Sequence, residues 1–334
     1  MIPIGLLLAV ISGLCNGVFT APMKLESRWK WENIWLVFIL TACVAMPWTM
    51  VWTTVPGFAG VLAAAPRAAV YAACLFGFLW GFGAICFGRS VDSLGVSVAN
   101  SVVLGLSSGL GSLIPLLMTH PAVSPAGLTA LIAGVGAFLV GVWLCGSAGR
   151  LRDGGAAGKA SARALTGYAF AVTAGVMSAV FNIGYTLALP ISHTALRQGY
   201  SQSVAPNVIW LLMLGAGAIP NSIYCLYLMK RNSTGALLAA PHAGASWLRA
   251  VGMGLLWGGS IFLYGAATPR LGSLGPSVGW PLSLAVGLLV ANLMGVLLGE
   301  WRNANRAARR RMHMGIWVLL GAIVLCAVAT RSGS

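Results

Sequence analysis

Acidic residues are what this sequence has least of. Its 334 residues hold 5 Asp+Glu against 20 Lys+Arg, a formal charge of +15, and charged residues of both signs make up 7 %. A soluble domain carries about a quarter charged residues, because its large surface must be solvated. So few charges on a chain that is 58 % hydrophobic exclude a soluble enzyme and a disordered tail. The cationic excess does not indicate nucleic acid, because the basic residues form short clusters between long apolar runs.

Other chemistries are missing as well. The acids Glu26, Glu32, Asp92, Asp153 and Glu300 include no DxD pair. His120, His193, His242 and His313 show no HxxxH spacing, and Cys15, Cys43, Cys74, Cys86, Cys145, Cys225 and Cys326 show no CxxC. Metal, redox and nucleophile–base constellations therefore have no signature here. The cysteines all fall in apolar runs and read as packing residues. No enzyme activity, cofactor or metal is expected. GGAAGKAS at 154–161 lacks the first glycine of a phosphate loop, and GLSSGLG at 105–111 has no strand before it, so neither binds a nucleotide.

What is present is apolar length. Ten runs lie at about 3–22, 33–53, 70–88, 95–117, 125–147, 166–189, 205–229, 248–267, 275–298 and 313–330. Each matches the roughly 20 residues that span hydrocarbon as a helix, and none alternates as a barrel strand does. The first run has no basic segment before it and no clear cleavage site, so it reads as a span and not as a signal peptide. An all-α polytopic membrane protein with ten transmembrane helices follows.

The chain repeats itself. Gly5, Ala9, Val10, Gly13, Val18 and Phe19 recur 162 positions later as Gly167, Ala171, Val172, Gly175, Val180 and Phe181. GFLWG at 77–81 returns as GLLWG at 254–258, and LGVSV at 94–98 as LGPSV at 274–278. An odd number of helices per half makes the halves cross the membrane in opposite senses. The expectation is two inverted-topology five-helix repeats, 1–150 and 166–334, joined by a basic linker at 151–165, an arrangement typical of secondary transporters. Glycines such as Gly77/Gly81, Gly254/Gly258 and Gly5/Gly13 fit close helix packing. Pro115 and Gly279-Trp280-Pro281 are candidate bends.

Sixteen of the 20 cations fall in the loops after the odd-numbered runs; Arg67, Arg197, Arg270 and Arg331 fall on the other side. The positive-inside rule puts the larger group in the cytoplasm and both termini outside. The cluster Arg302, Arg306, Arg309, Arg310 and Arg311 is explained by retention and anionic-lipid contact.

Within the runs, uncharged amides and aromatic faces dominate the polar inventory, which suits a neutral polyol. Trp80, Trp257, Trp280 and Tyr264 supply faces; Asn16, Asn100 and Asn182 supply amides. Asn100 and Trp280 occupy matching positions of the two halves. All five acids lie on the cytoplasmic side, and Glu32 and Glu300 stand best for proton coupling. Ala21-Pro22-Met23-Lys24 with Trp29-Lys30-Trp31-Glu32-Asn33-Ile34-Trp35 resembles the entry to the second helix of L-rhamnose–proton symporters. LFGFLWGFGAICFG at 75–88, LGVSV at 94–98 and Gly299-Glu300-Trp301-Arg302-Asn303-Ala304 resemble further segments of that family.

The resemblance spans the chain and implies the drug/metabolite transporter fold, with inward symport of L-rhamnose or a related 6-deoxy sugar and a proton. It assigns Lys24 to the coupling machinery beside Glu32 and Glu300. Two departures stand out: Ala84-Ile85-Cys86-Phe87 where a more polar run is expected, and Gly299 in place of lysine. A proton-independent facilitator, an exporter of another small metabolite and a non-transporting sugar sensor remain as alternatives. The expected setting is the bacterial inner membrane, with lipid, sugar and proton as partners and no nucleic acid.

Overall fold

The structure, a computed structural model, describes residues 2–94, 96–119, 124–152, 162–297, 299, 301–302 and 304–332. Ten helices among them are long and apolar enough to cross a membrane. They are α1 (Ile2–Val18), α2 (Trp31–Thr54), α3 (Arg67–Leu94), α4 (Val96–Thr119), α5 (Pro125–Arg152), α6 (Ala162–Arg197), α7 (Asn207–Arg231), α8 (Gly244–Ala267), α9 (Gly275–Leu297) and α10 (Arg306–Ser332). The chain is thus a multi-pass, all-helical membrane protein.

Several helices differ from their apolar runs. The first run ends early, at Val18, and a short helix Ala21–Lys24 with proline in its first turn follows. The sixth and tenth runs extend to Ala162–Arg197 and Arg306–Ser332. Pro190 sits inside α6 without ending it, since neighbours can re-satisfy the carbonyl that a membrane-helix proline frees. The arginines of α10 are helical because their long stems reach the interface from within the helix. Pro115 and Pro281 likewise lie inside continuous helices. In α2 a π turn, Leu40–Ala45, precedes Pro47, accommodating the missing donor.

Packing follows a simple pattern. α5 lies along α10; α6 packs on α3 and α4, and α1 on α8 and α9; α7 meets α2 and α3, and α2 also meets α8. Exchanging each helix for the one five later returns the same principal partners. Close contacts repeat too. A Cβ on Gly13 would lie 2.5 Å from Val286 of α9, and one on Gly175 would lie 2.8 Å from Leu106 of α4. The two glycines are equivalent in the 162-residue offset, and a larger residue at either would drive the crossing helices apart. Cysteines serve the same end: Cys145 and Cys326 seat against Gly315 and Gly134 where α5 and α10 cross.

The loops after odd-numbered helices form a cation-rich face. There Arg28 donates to the His242 carbonyl (2.9 Å) and Trp29 Nε1 to the Leu237 carbonyl (3.0 Å), locking the α1–α2 loop to the α7–α8 loop. On the cation-poor face the Tyr200 hydroxyl accepts from the Gly57 N–H (3.0 Å), and the Arg270 guanidinium donates to Ser203 Oγ.

Candidate functional site

Trp80 of α3 and Trp257 of α8 hold the same place in the two GxLWG segments. They stack on each other with centroids 5.2 Å apart and planes 11° apart. Glycine makes room for the stack: a Cβ on Gly217 would lie 2.7 Å from the Trp80 ring. Phe181 tilts against Trp80 at 5.0 Å, and Phe38 meets Trp257 edge-on at 5.8 Å. The aromatic core continues through Phe181–Trp210 (5.7 Å), Tyr185–Trp210 (4.5 Å) and Tyr264–Trp280 (5.4 Å). Trp80 and Trp257 are only half-buried, so ring surface remains accessible.

The amides divide into two kinds. Asn16 on α1 is half-buried, lies beside Gly287, and makes no hydrogen bond among the described residues. Its amide has capacity for a ligand. Asn182 on α6 is fully buried and fully engaged. Its Nδ2 donates to the carbonyls of Gly111 (2.6 Å) and Pro276 (3.2 Å), and its Oδ1 accepts from the Tyr264 hydroxyl. The Gly111 carbonyl is free to accept because the residue four positions on is Pro115, which has no N–H. Trp280 is buried and donates Nε1 to the Ser107 carbonyl and hydroxyl, both at 3.2 Å. Of the sugar contacts expected from sequence, Trp80, Trp257 and Asn16 therefore present open groups. Trp280, Asn182 and Tyr264 are buried, with their polar atoms committed to one another or to the backbone. The side chain of Asn100 lies outside the described residues.

Sequence reasoning passed over Phe181, Trp210, Tyr185 and the serines Ser12, Ser107 and Ser178. Ser12 Oγ donates to the Ser260 carbonyl (2.8 Å), and the hydroxyls of Ser107 and Ser178 pair at 2.8 Å. A signal for Trp210 existed: Ile34-Trp35 recurs as Ile209-Trp210, 175 positions on. Nothing in the sequence singles out these serines.

The candidate coupling group is Glu32, in the first turn of α2 and 5 % exposed. Its Oε1 accepts from Asn232 Nδ2 (3.0 Å) and Thr234 Oγ1 (2.9 Å), and Asn33 Nδ2 donates to the Thr234 carbonyl (2.9 Å). In the 175-residue offset Glu32 corresponds to Asn207, the first residue of α7, whose Nδ2 donates to Thr54 Oγ1 at 2.9 Å. The two helices are thus tied end to end twice, by a carboxylate at the cation-rich face and an amide at the other. Hydrogen bonds to an ionised carboxylate are stronger than those to a neutral acid, so protonation of Glu32 would weaken the first tie alone. Glu26, in the α1–α2 loop, pairs with Arg249 at 2.9 Å and accepts from the N–H groups of Arg28 (2.8 Å) and Trp29 (3.1 Å). Burial pushes its pKa up, but the Arg249 bond and the two backbone donors outweigh that and hold it at about 2. Glu300 and the side chain of Lys24 lie outside the described residues. Among the described residues no three His, Cys, Asp or Glu side chains cluster as metal ligands would.

These features can be set beside known proteins. The family profile of the L-rhamnose-proton symport protein (RhaT) matches residues 1–331. A protein of Cronobacter sakazakii (strain ATCC BAA-894) named L-rhamnose-proton symporter is 26 % identical over 328 residues, covering 96 % of this chain and 95 % of its own length. One of the same name from Escherichia coli O1:K1 / APEC is 25 % identical over the same length and coverage. A crystal structure superposes with a TM-score of 0.61 at 16 % identity, covering 98 % of this chain and 97 % of its own, which extends the likeness of fold alone. The chain belongs to the L-rhamnose-proton symport protein family, a family of transporters and not of enzymes.

Proposed function

We propose that this protein imports L-rhamnose or a related 6-deoxy sugar together with a proton, by alternating access in the bacterial inner membrane. Family membership supports the reaction class. The observation that carries the site is the stacked pair Trp80 and Trp257, whose half-buried rings keep accessible faces. Asn16, whose amide makes no hydrogen bond among the described residues, is assigned to the same site. Indole faces suit the apolar face of a pyranose, and the methyl group of a 6-deoxy sugar enlarges that face. An amide that can both donate and accept suits its hydroxyls. Tyr264, Trp280, Asn182 and Asn100 complete the proposed site around that pair.

The cation-rich face is placed in the cytoplasm on the charge asymmetry, with both termini outside. The halves 1–150 and 166–334 are read as inverted repeats about the linker 151–165, which the exchange symmetry of helix partners supports. Glu32 is assigned the protonation step, with Glu300 and Lys24 proposed on the same side. A proton-independent facilitator or exporter is the second reading; it is favoured by Glu32 standing in the first turn of α2, at the cation-rich end and not at mid-membrane. The test is uptake of labelled L-rhamnose by cells expressing the protein, against unlabelled hexoses and 6-deoxy hexoses, with and without a protonophore. Preferential competition by 6-deoxy sugars and collapse of accumulation by the protonophore are expected. Uptake indifferent to the protonophore would support the second reading.

A further inference from the structure

The two ends of the bundle are in different states. Every residue of α9 from Gly275 to Gly287 is buried, whereas Gly295 alone is buried among the described side chains from 288 to 297. A helix covered on all sides for more than three turns has neither lipid nor water at any face. That half of the molecule, next to the cation-poor face, is sealed by named contacts. Asn182 ties α6 to α4 through Gly111, to α9 through Pro276 and to α8 through Tyr264, while Trp280 ties α9 to α4 through Ser107.

The repeat offsets give the counterparts of these residues at the other end. Asn182 corresponds to Thr20, Tyr264 to Phe87 and Gly111 to Ala291. Thr20 and Phe87 are half-buried and Ala291 is exposed. No side-chain hydrogen bond joins them among the described residues. Phe87 has no donor, so this end can be closed by apolar packing and not by the bonds that close its twin.

We infer that the structure is the inward-facing state of the carrier, and that Asn182 with Tyr264 forms its outer gate. This rests on the alternating-access reading and on the cation-rich face being cytoplasmic. Because the residues that match the outer closure carry no such bonds among the described residues, the empty carrier rests facing inward. Opening outward releases the Asn182 amide and the Tyr264 hydroxyl toward the outer entrance. A neutral polyhydroxyl solute supplies donors and acceptors that replace the lost partners, so the same groups that close the empty carrier receive its substrate. Asn182 and Tyr264 are positioning residues in the closed state and ligand groups in the open one.

The test is thiol labelling without sugar. The seven native cysteines are replaced, Ser178→Cys is introduced as a reporter, and a membrane-impermeant maleimide is applied to right-side-out and inside-out vesicles. The parent should label from the cytoplasmic side. Tyr264→Phe should raise labelling from outside about fivefold, the shift expected for one lost net hydrogen bond, and Asn182→Ala, which loses three bonds, should raise it by more. Thr20→Asn combined with Phe87→Tyr, which leaves the outer gate intact, should lower labelling from the cytoplasmic side. Equal labelling from both sides in the parent overturns the state assignment. Unchanged outside labelling in both gate variants overturns the gate, and if one variant fails to reach the membrane the other carries the result. Labelling does not depend on which sugar is moved. A shift in labelling with no rhamnose uptake would therefore count against the substrate reading alone.

Discussion

The two ends of the α2–α7 pair share one backbone plan and differ in chemistry. At the cation-rich end Glu32 is held by Asn232 and Thr234, with the Glu26–Arg249 ion pair beside it. At the other end the matching residue is Asn207, bonded to Thr54, and the nearby closure is a neutral knot around Asn182. The crossing occurs twice, and at matched positions one end carries a carboxylate where the other carries a neutral amide.

The strongest way to break the contrast is at the neutral end. A Cβ on Gly111 would sit 2.9 Å from the Trp280 indole nitrogen. Gly111→Leu should therefore keep α4 and α9 from closing and lower the initial uptake rate on the order of a hundredfold, in line with an overpacking cost of about 3 kcal/mol. Next comes the ionisable end. Glu32→Gln should reduce proton-driven accumulation to about the external sugar concentration while sugar exchange persists. Asn207→Ala at the matching site should slow uptake and leave accumulation coupled. Measuring steady-state accumulation and exchange in the two variants separates the ends.

A smaller effect is expected between them. Trp80→Ala should raise the half-saturating sugar concentration about tenfold through loss of a stacking face. Trp257→Ala should do the same, and the double variant should exceed either single by little, since each removes the other's partner. The smallest effect on uptake belongs to Glu26. Its folded pKa lies below its unfolded one, so the stability it contributes is complete above the unfolded value and lost only as pH falls toward about 2. Glu26→Gln should cost about 1–3 kcal/mol in thermal unfolding, since the carboxylate is buried against Arg249, and leave the pH profile of uptake between about pH 5.5 and 8 unchanged. A flattened profile would move the proton site from Glu32 to the loop.

Much of the fold was legible in the sequence because hydrophobic length and recurring segments are written in residue order. Ten spans, the two GxLWG segments and the glycine contacts of α1 and α6 all follow from it. Helix ends were less legible, since Pro190 and the arginines of α10 look like breaks yet lie within helices whose neighbours and long side chains accommodate them. The site was half legible. Residue type marked Trp80, Trp257, Asn16 and Asn182 as polar or aromatic groups in apolar surroundings. It did not say that the first two would stack on each other, or that Pro115 would free a carbonyl for Asn182. Those depend on which helices cross and at what height, which a single chain's pattern does not encode.

The most direct test of proton-coupled sugar import is reconstitution. Purified protein in liposomes is given labelled L-rhamnose outside, with an imposed gradient acidic outside or acidic inside. Uphill accumulation in the first case, with proton entry that starts on sugar addition, is the expected result. Equal equilibration of sugar under both gradients, with no sugar-dependent proton movement, would contradict the account.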